Sequence, residues 1–225
     1  MLAKAFSFGI NGLDAHLVTI ETDISSGLPH FTLVGLADMA VKESRERVRT
    51  AIKHSQLDFP QDRITVNLAP ADTKKQGPSF DAAIALCILA AAGIILPDKL
   101  KNIGIVGELS LNGELKPVPG VLAMAMSCKA NGFHALIVAT SNAREAALVA
   151  GLTIYPADHL ATIVNWFTTE GSFPPAYTQP LIPNTVKTTS PDFSDVKSQL
   201  AVKRGLEIAA AGGHNILLVG TQYNR

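Results

Sequence analysis

The longest apolar stretch of the chain, residues 82–96, restricts the possible folds more than any other feature. Its 15 residues are Ala, Ile, Leu, Cys and a single Gly. A helix that crosses a bilayer needs about 20 apolar residues, so this stretch is too short to span a membrane. It predicts a buried helix over about residues 79–92. Because no apolar run of signal-peptide length precedes Asn11, we expect a cytoplasmic protein without membrane contact.

The composition describes a folded and electrically balanced chain. Hydrophobic residues make up 47% of the 225 residues and charged residues 17%, which excludes wholesale disorder. Lys and Arg number 19, as do Asp and Glu, so any basic surface must be local. Cys87 and Cys128 both lie in apolar runs, which predicts reduced core thiols. The histidines have no ligand-like spacing, so we expect no metal site.

The hydrophobic period changes along the chain and predicts the fold class. Residues 2–36 alternate apolar and polar positions, which indicates three antiparallel strands. A helical period follows over residues 38–55, and helices and strands then alternate up to about residue 167. One helix of this series is expected over residues 142–150. The predicted fold is mixed α/β (α+β), with a partly antiparallel sheet and flanking helices.

Composition also divides the chain. Residues 1–168 are predicted to form one domain, and residues 169–191 form a linker rich in Pro, Ser and Thr. Residues 192–225 contain one helical period and an apolar run at 215–219 that predicts a strand. So short a segment does not fold alone, and we interpret it as the start of a second domain.

A Gly-Pro-Ser turn, residues 77–79, precedes the predicted buried helix. Two interpretations of Ser79 remain open. It can be an N-cap that accepts backbone N–H groups, while Asp81 favours the positive helix end. It can instead be a nucleophile whose oxyanion is stabilised by the helix N-terminus, but a nucleophilic serine needs a base.

Four basic residues share one face of the predicted helix over residues 38–55. They are spaced by three and four positions: Lys42, Arg45, Arg49 and Lys53. This stripe is either a solvated face that pairs with Glu43 and Glu46 or a surface that contacts nucleic-acid phosphates. Three further basic residues would extend it if they lie beside the helix: Arg63, Lys74 and Lys75.

Several motifs resemble the proteolytic domain of Lon-type proteases. They are residues 77–79 (GPS), 106–113 (VGELSLNG), 117–120 (PVPG) and 131–133 (NGF). The resemblance implies a Lon-like fold in which Ser79 holds the position of the nucleophile. The family's catalytic lysine would stand at residue 122, where this chain has Leu122, and a leucine cannot accept a proton. We therefore expect a vestigial site, because Lys116 lies six positions away and would need a different approach to Ser79, and Lys74 and Lys75 precede the turn.

Longer runs resemble the Mg-chelatase-like AAA+ ATPases of the ComM/YifB type. They are residues 27–36 (GLPHFTLVGL), 41–49 (VKESRERVR), 64–72 (ITVNLAPAD) and 209–215 (AAAGGHN). The resemblance implies a Lon-like domain ahead of an ATPase domain. It also implies a hexameric, DNA-dependent motor associated with natural transformation and branch migration. ATP and Mg²⁺ are implied for the full-length relatives alone.

The chain departs from this family at the phosphate-binding loop. The loop pattern Gly-x-x-x-x-Gly-Lys-Ser/Thr begins at Gly220, but Arg225 occupies the position of the second glycine. We interpret this ending as a truncation and expect no cofactor and no ATPase activity. The expected function is a non-catalytic domain for assembly, as a homo-oligomer, and for weak, sequence-independent DNA engagement. A Ser79-dependent serine peptidase and an inactive truncated gene product are the alternatives.

Overall fold

The structure is a computed structural model that describes residues 2–73, 75–169, 173–174, 176–177 and 192–220. The chain divides into two compact units, Met1–Pro180 and Leu181–Arg225. Most of the predicted linker, residues 169–191, lies outside the described residues. None of the helices in the described ranges is long and apolar enough to cross a membrane.

Strands and helices alternate through the first unit, as the change of period predicts. The strands are β1 (Leu2–Asn11), β2 (Asp14–Ser25), β3 (His30–Val34), β4 (Arg63–Ala69), β5 (Ile103–Ile105), β6 (Glu108–Leu109), β7 (Leu115–Lys116), β8 (Ala135–Ala139) and β9 (Thr153–Ala157). The helices are α1 (Met39–His54), α2 (Asp81–Ala91), α3 (Val121–Ala130), α4 (Ala143–Ala146) and α5 (Leu160–Thr168). Of the helix expected over residues 142–150, only the short α4 forms.

Seven strands form the main sheet, in the order β3-β4-β2-β1-β5-β8-β9. Pairs β4–β2 and β2–β1 are antiparallel, whereas β3–β4, β1–β5, β5–β8 and β8–β9 are parallel. Strand β2 is thus the one strand of this sheet that runs against the others. This mixed sheet with flanking helices confirms the predicted fold class. The remaining strands, β6 and β7, form a separate hairpin.

The pairing of β3 differs from the antiparallel arrangement that the alternation suggested. Strand β3 does not pair with β2. Instead β4 is inserted between them, and β3 pairs with β4 in parallel, with His30 opposite Arg63. The reason is the connection: α1 joins β3 to β4 as a crossover helix, and a crossover is what a parallel pair requires. Strand β3 becomes one edge of the sheet.

Helices cover both faces of the sheet. Helices α1, α2 and α5 share one apolar cluster with it, and α3 and α4 share the other. All eleven residues of α2 are buried: ten belong to the apolar run, as expected, and the eleventh is Asp81. The two thiols confirm the prediction of reduced core cysteines: both are free and buried, and burial raises the pKa of Cys87 and of Cys128 to about 12.

The second unit contains helix α6 (Leu200–Gly212), which buries none of its residues. Gly213 ends the helix in the left-handed conformation, with φ +63°. The strand predicted at residues 215–219 does not form: residues 214–220 adopt no regular element. A strand requires a hydrogen-bonded neighbour, and the described residues of this unit provide none.

Candidate functional site

Ser79 lies in the turn that leads into α2, but it is not the N-cap of that helix. Phe80 takes the cap position, with no side-chain cap hydrogen bond, and the helix begins at Asp81. The carbonyl of Ser79 instead accepts a hydrogen bond from the N–H of Gly107 at 3.0 Å. The N–H of Ala82 returns one to the Gly107 carbonyl at 3.1 Å. The N-cap interpretation of Ser79 is therefore wrong, and the turn is held by backbone pairing to residue 107.

A small crevice opens beside Ser79, between this turn and the segment that precedes α3. Its other lining residues are Ile10, Gln76, Gly77, Pro78, Val118, Pro119 and Met124. None of these side chains titrates near neutral pH, so the described lining offers Ser79 no general base. Leu122 lies on α3 and is not part of the lining. Its N–H donates to Glu145 Oε1 at 2.9 Å.

The wall of the crevice opposite Ser79 is fixed by a buried asparagine that the sequence did not single out. Asn142 accepts a hydrogen bond from the Val118 N–H at 2.9 Å and donates to the Val118 carbonyl at 3.1 Å. Gly120 follows with φ +76°, and a Cβ there would lie 3.0 Å from Cδ1 of Ile10. A side chain at residue 120 would thus be both strained and crowded. No sequence signal distinguishes Asn142 from other helix-start asparagines.

A buried ion pair joins α1 to the start of α2. Asp81 is fully buried, and Arg47 donates to it twice, from Nε at 2.7 Å and from Nη2 at 3.2 Å. The N–H of Leu109 donates to the same carboxylate at 3.3 Å. Burial raises the pKa of Asp81, and the hydrogen bonds from Arg47 act in the opposite direction. The sequence suggested only a helix-end charge here.

Asp38 makes a second tie between the same two regions. One carboxylate oxygen caps α1 by accepting from the Val41 N–H at 2.8 Å. The other accepts from the Gly77 N–H at 3.3 Å. The start of α1 and the Gly-Pro-Ser turn are therefore held together through one side chain.

The basic face predicted for α1 is present. Four side chains are exposed on one side of the helix: Lys42, Arg45, Arg49 and Lys53. The opposite side is buried, through Val41, Ser44, Val48, Ala51 and Ile52. Arg45 pairs with Glu46 at 3.2 Å, and Arg49 lies over the ring of Phe59 at 5.8 Å. In the described part of the chain no carboxylate lies within 4.0 Å of the charged groups of Lys42, Arg49 or Lys53.

Two of the three residues expected to extend this face, Lys75 and Arg63, do not do so. Lys75 is fully buried and its Nζ donates to the Pro70 carbonyl, so the predicted DNA contact at Lys75 is wrong. Burial lowers the pKa of this lysine. Arg63 alternates with the buried Ile64 along β4, so its side chain points to the sheet face opposite α1. Lys74 lies outside the described residues.

The phosphate-binding loop pattern that the resemblance implies would begin at Gly220. Gly220 belongs to a segment without regular structure, and the sequence places Arg225, not glycine, at the next fixed position of the loop. The described residues contain no group of three or more His, Cys, Asp or Glu side chains arranged to hold a metal ion.

Comparisons with known proteins agree on the family. Residues 20–142 match the model of "Subunit ChlI of Mg-chelatase", and residues 192–222 match that of "Magnesium chelatase, subunit ChlI". The chain is 44% identical over 210 residues to the uncharacterized protein YifB of Salmonella typhimurium, covering 93% of this chain and 40% of that protein. It is 41% identical over 227 residues to the competence protein ComM of Haemophilus influenzae, covering 97% of this chain and 43% of that one.

A more distant similarity extends to proteases. The chain is 26% identical over 160 residues to the Lon protease of Buchnera aphidicola, covering 66% of this chain and 20% of the protease. The chain spans about two fifths of the length of the YifB and ComM relatives. The ChlI match covers more than half of the chain. The chain therefore belongs to the Mg-chelatase ChlI family, as a ComM/YifB-type protein with a Lon-like region.

Proposed function

We propose that this chain is a non-catalytic Lon-like region of a Mg-chelatase-like AAA+ protein, and that it serves assembly and DNA engagement. The crevice beside Ser79 supports the non-catalytic part of the proposal. Its described lining has no group that could take a proton from the serine, and Leu122 replaces the lysine of Lon-type sites. A serine hydroxyl without a base is a poor nucleophile.

The basic face of α1 carries the proposed contact with DNA. Its four exposed cations lie on one side of a 16-residue helix in a chain whose net charge is zero. Cations that neutralise phosphates release condensed counterions, which gives binding without sequence preference. The ComM relative is named as a competence protein, and the resemblance to the ComM/YifB type implies a DNA-dependent motor. We extend that association to this chain.

The test is a salt titration of a fluorescein-labelled 30-base-pair duplex, followed by anisotropy. We expect weak binding whose log affinity falls by about 0.9 for each phosphate contact per log unit of salt. The double variant Arg45→Glu/Arg49→Glu should remove this binding at low salt. The matched control, Lys101→Glu/Lys129→Glu, makes the same change in net charge at exposed sites of the first unit outside α1 and should keep most of this binding.

Thermal unfolding of each variant separates a lost contact from a lost fold. Arg45 and Arg49 are exposed, so the melting temperature should change by no more than about 3 °C. Equal anisotropy curves for the wild type and the α1 variant would show that Arg45 and Arg49 do not contact DNA. A change confined to the oligomer distribution, measured by sedimentation velocity, would assign the α1 face to assembly instead.

A further inference from the structure

The two edges of the main sheet differ in how they are covered. At the β9 edge, the N–H of Tyr177 donates to the Ile154 carbonyl at 2.8 Å. Phe173 packs on Tyr155 beside it, with ring centroids 5.1 Å apart. The chain's own later residues therefore cover that edge. At the β3 edge, β4 is the only strand among the described residues that pairs with β3.

The register shows which backbone groups of β3 face outward. His30 lies opposite Arg63, and its N–H points to the Asp62 carbonyl at 3.5 Å, on the β4 side. Backbone groups alternate sides along a strand, so the N–H and C=O groups of Phe31 and Leu33 point away from β4. These are two donors and two acceptors in the arrangement that a further strand would pair with.

This edge has few of the features that keep sheet edges from pairing with other chains. Natural edge strands are protected by lysines, prolines, bulges or inward charges. Strand β3 is short, but its five residues, His-Phe-Thr-Leu-Val, include none of these. The side chains of Phe31 and Leu33 are only partly buried and pack on the core from the edge. An open apolar edge of this kind is suited to strand addition.

The charge beside the edge indicates what kind of strand it fits. A groove runs along β3, and Lys42 and Arg45 of α1 line it together with residues 30–33 of the strand. Phe31 and Leu33 lie opposite Ile64 and Val66, which are buried on the α1 side of the sheet. In an added strand, every second side chain would therefore point toward Lys42 and Arg45. Carboxylates at those positions would complement the two cations.

We propose that the β3 edge binds an extended acidic segment of a partner protein as an eighth strand of the sheet. The backbone of that segment pairs with Phe31 and Leu33, and its alternate carboxylates meet Lys42 and Arg45. This inference goes beyond the proposed function and does not require DNA to bind. A strand seated there would cover Lys42 and Arg45, so a DNA phosphate and the strand would exclude each other at these two residues.

The experiment uses the full chain and four fluorescein-labelled hexapeptides. The first, Thr-Glu-Val-Glu-Thr-Glu, places a carboxylate at every second position. The second has Lys for each Glu. The third and fourth keep the acidic sequence but are N-methylated at every second residue, one in each phase, so that one of them cannot donate hydrogen bonds to the strand edge. We expect anisotropy binding by the first peptide, and a loss of at least about tenfold in affinity for the lysine peptide and for that one N-methylated peptide.

Protein variants test the two halves of the site separately. Arg45→Glu should weaken binding of the acidic peptide by about tenfold or more, because it places a like charge in the groove. Lys53→Glu, on the same helix but outside the groove, is the matched control. It should change the affinity for the acidic peptide by less than about twofold. Leu33→Pro removes an N–H that points outward and leaves the β4 pairing intact, so it should also weaken binding.

The outcomes separate this inference from its competitors. If the N-methylated peptides bind as well as the unmodified one, charge attraction alone is acting, and strand addition is overturned even if Leu33→Pro fails to fold. If the duplex binds while the acidic peptide does not, the groove is a phosphate site and this inference is wrong. If Leu33→Pro abolishes self-association and leaves peptide binding unchanged, a second copy of the chain occupies the edge. Peptide binding without DNA binding would support this inference and contradict the proposed DNA contact.

Discussion

The Arg47–Asp81 pair connects three elements of the first unit. Asp81 opens the buried helix α2, Arg47 comes from α1, and the third partner, the N–H of Leu109, comes from β6. Removing one member of a buried ion pair leaves the other member as an uncompensated buried charge. The free energy of unfolding then falls by more than the intact pair contributes to it. The pair therefore holds three elements in register around the start of α2.

Replacing Arg47 by Met should destabilise the fold by about 3–5 kcal/mol at pH 7, because Asp81 would stay buried without its partner. Burial already raises the pKa of Asp81 in the wild type, and the loss of Arg47 would raise it further. A carboxyl whose pKa is higher in the folded state favours folding below its unfolded pKa, and this contribution is lost as the pH rises. The destabilisation should thus be smaller at pH 4.5 than at pH 7, measured by urea unfolding.

The neighbouring exposed arginine provides the control. Arg45→Met removes the same chemical group from the surface of the same helix and should cost less than about 0.5 kcal/mol at either pH. An Arg47→Met penalty of the same size at pH 4.5 and pH 7 would mean that Asp81 does not carry the charge that the structure places on it.

At the scale of elements, the sequence predicted most helices and strands but not all of their partners. The helical period over residues 38–55 matches α1, and the uninterrupted apolar run matches α2. Periodicity reports which side of an element is buried, and it carries no information on the neighbouring strand. For that reason the pairing of β3 with β4 was missed. The same limit applies to Lys75, because nothing local shows that its Nζ reaches the Pro70 carbonyl.

The turn into α2 brings together two of the motifs that resemble Lon-type proteases. Ser79 and the segment 118–119 face one crevice, as the Lon resemblance leads one to expect. The proton acceptor is the part that is missing from the described lining. The sequence predicts the absence of the Lon-type lysine from one residue alone, because position 122 is Leu122. The support from Asn142 could not be predicted, since it arises from tertiary contact.

We expect no peptidase activity from the full chain, because the described lining of the crevice offers Ser79 no base. Fluorescein-casein should remain intact, and a fluorophosphonate probe should label wild type and Ser79→Ala equally weakly. A commercial serine protease in the same assay is the positive control. Cleavage of casein that disappears in Ser79→Ala would restore the peptidase alternative and would require a base that the crevice does not show.

At the scale of the whole molecule, the two units differ in how they use their apolar residues. The first unit buries its apolar side chains in two clusters, one on each face of the sheet. In the second unit, α6 buries no residue, and Leu200, Leu217 and Val219 are each more than 75% exposed. Exposed apolar surface of this kind promotes association with other chains. Stability is thus expected to come from the first unit, and self-association from the second.

Deleting residues 181–225 tests this division directly. The deletion removes none of the buried residues that form the two clusters, so the melting temperature of the remaining chain should stay within about 3 °C of the full chain. Sedimentation velocity should show less self-association, because the exposed apolar residues of α6 and of the segment after it are gone. As a matched control, the double variant Leu200→Ser/Leu217→Ser keeps the full length of the chain. It should also show less self-association than the wild type. If the deleted protein instead unfolds, residues beyond 180 contribute to the fold of the first unit, and the boundary between the units lies elsewhere.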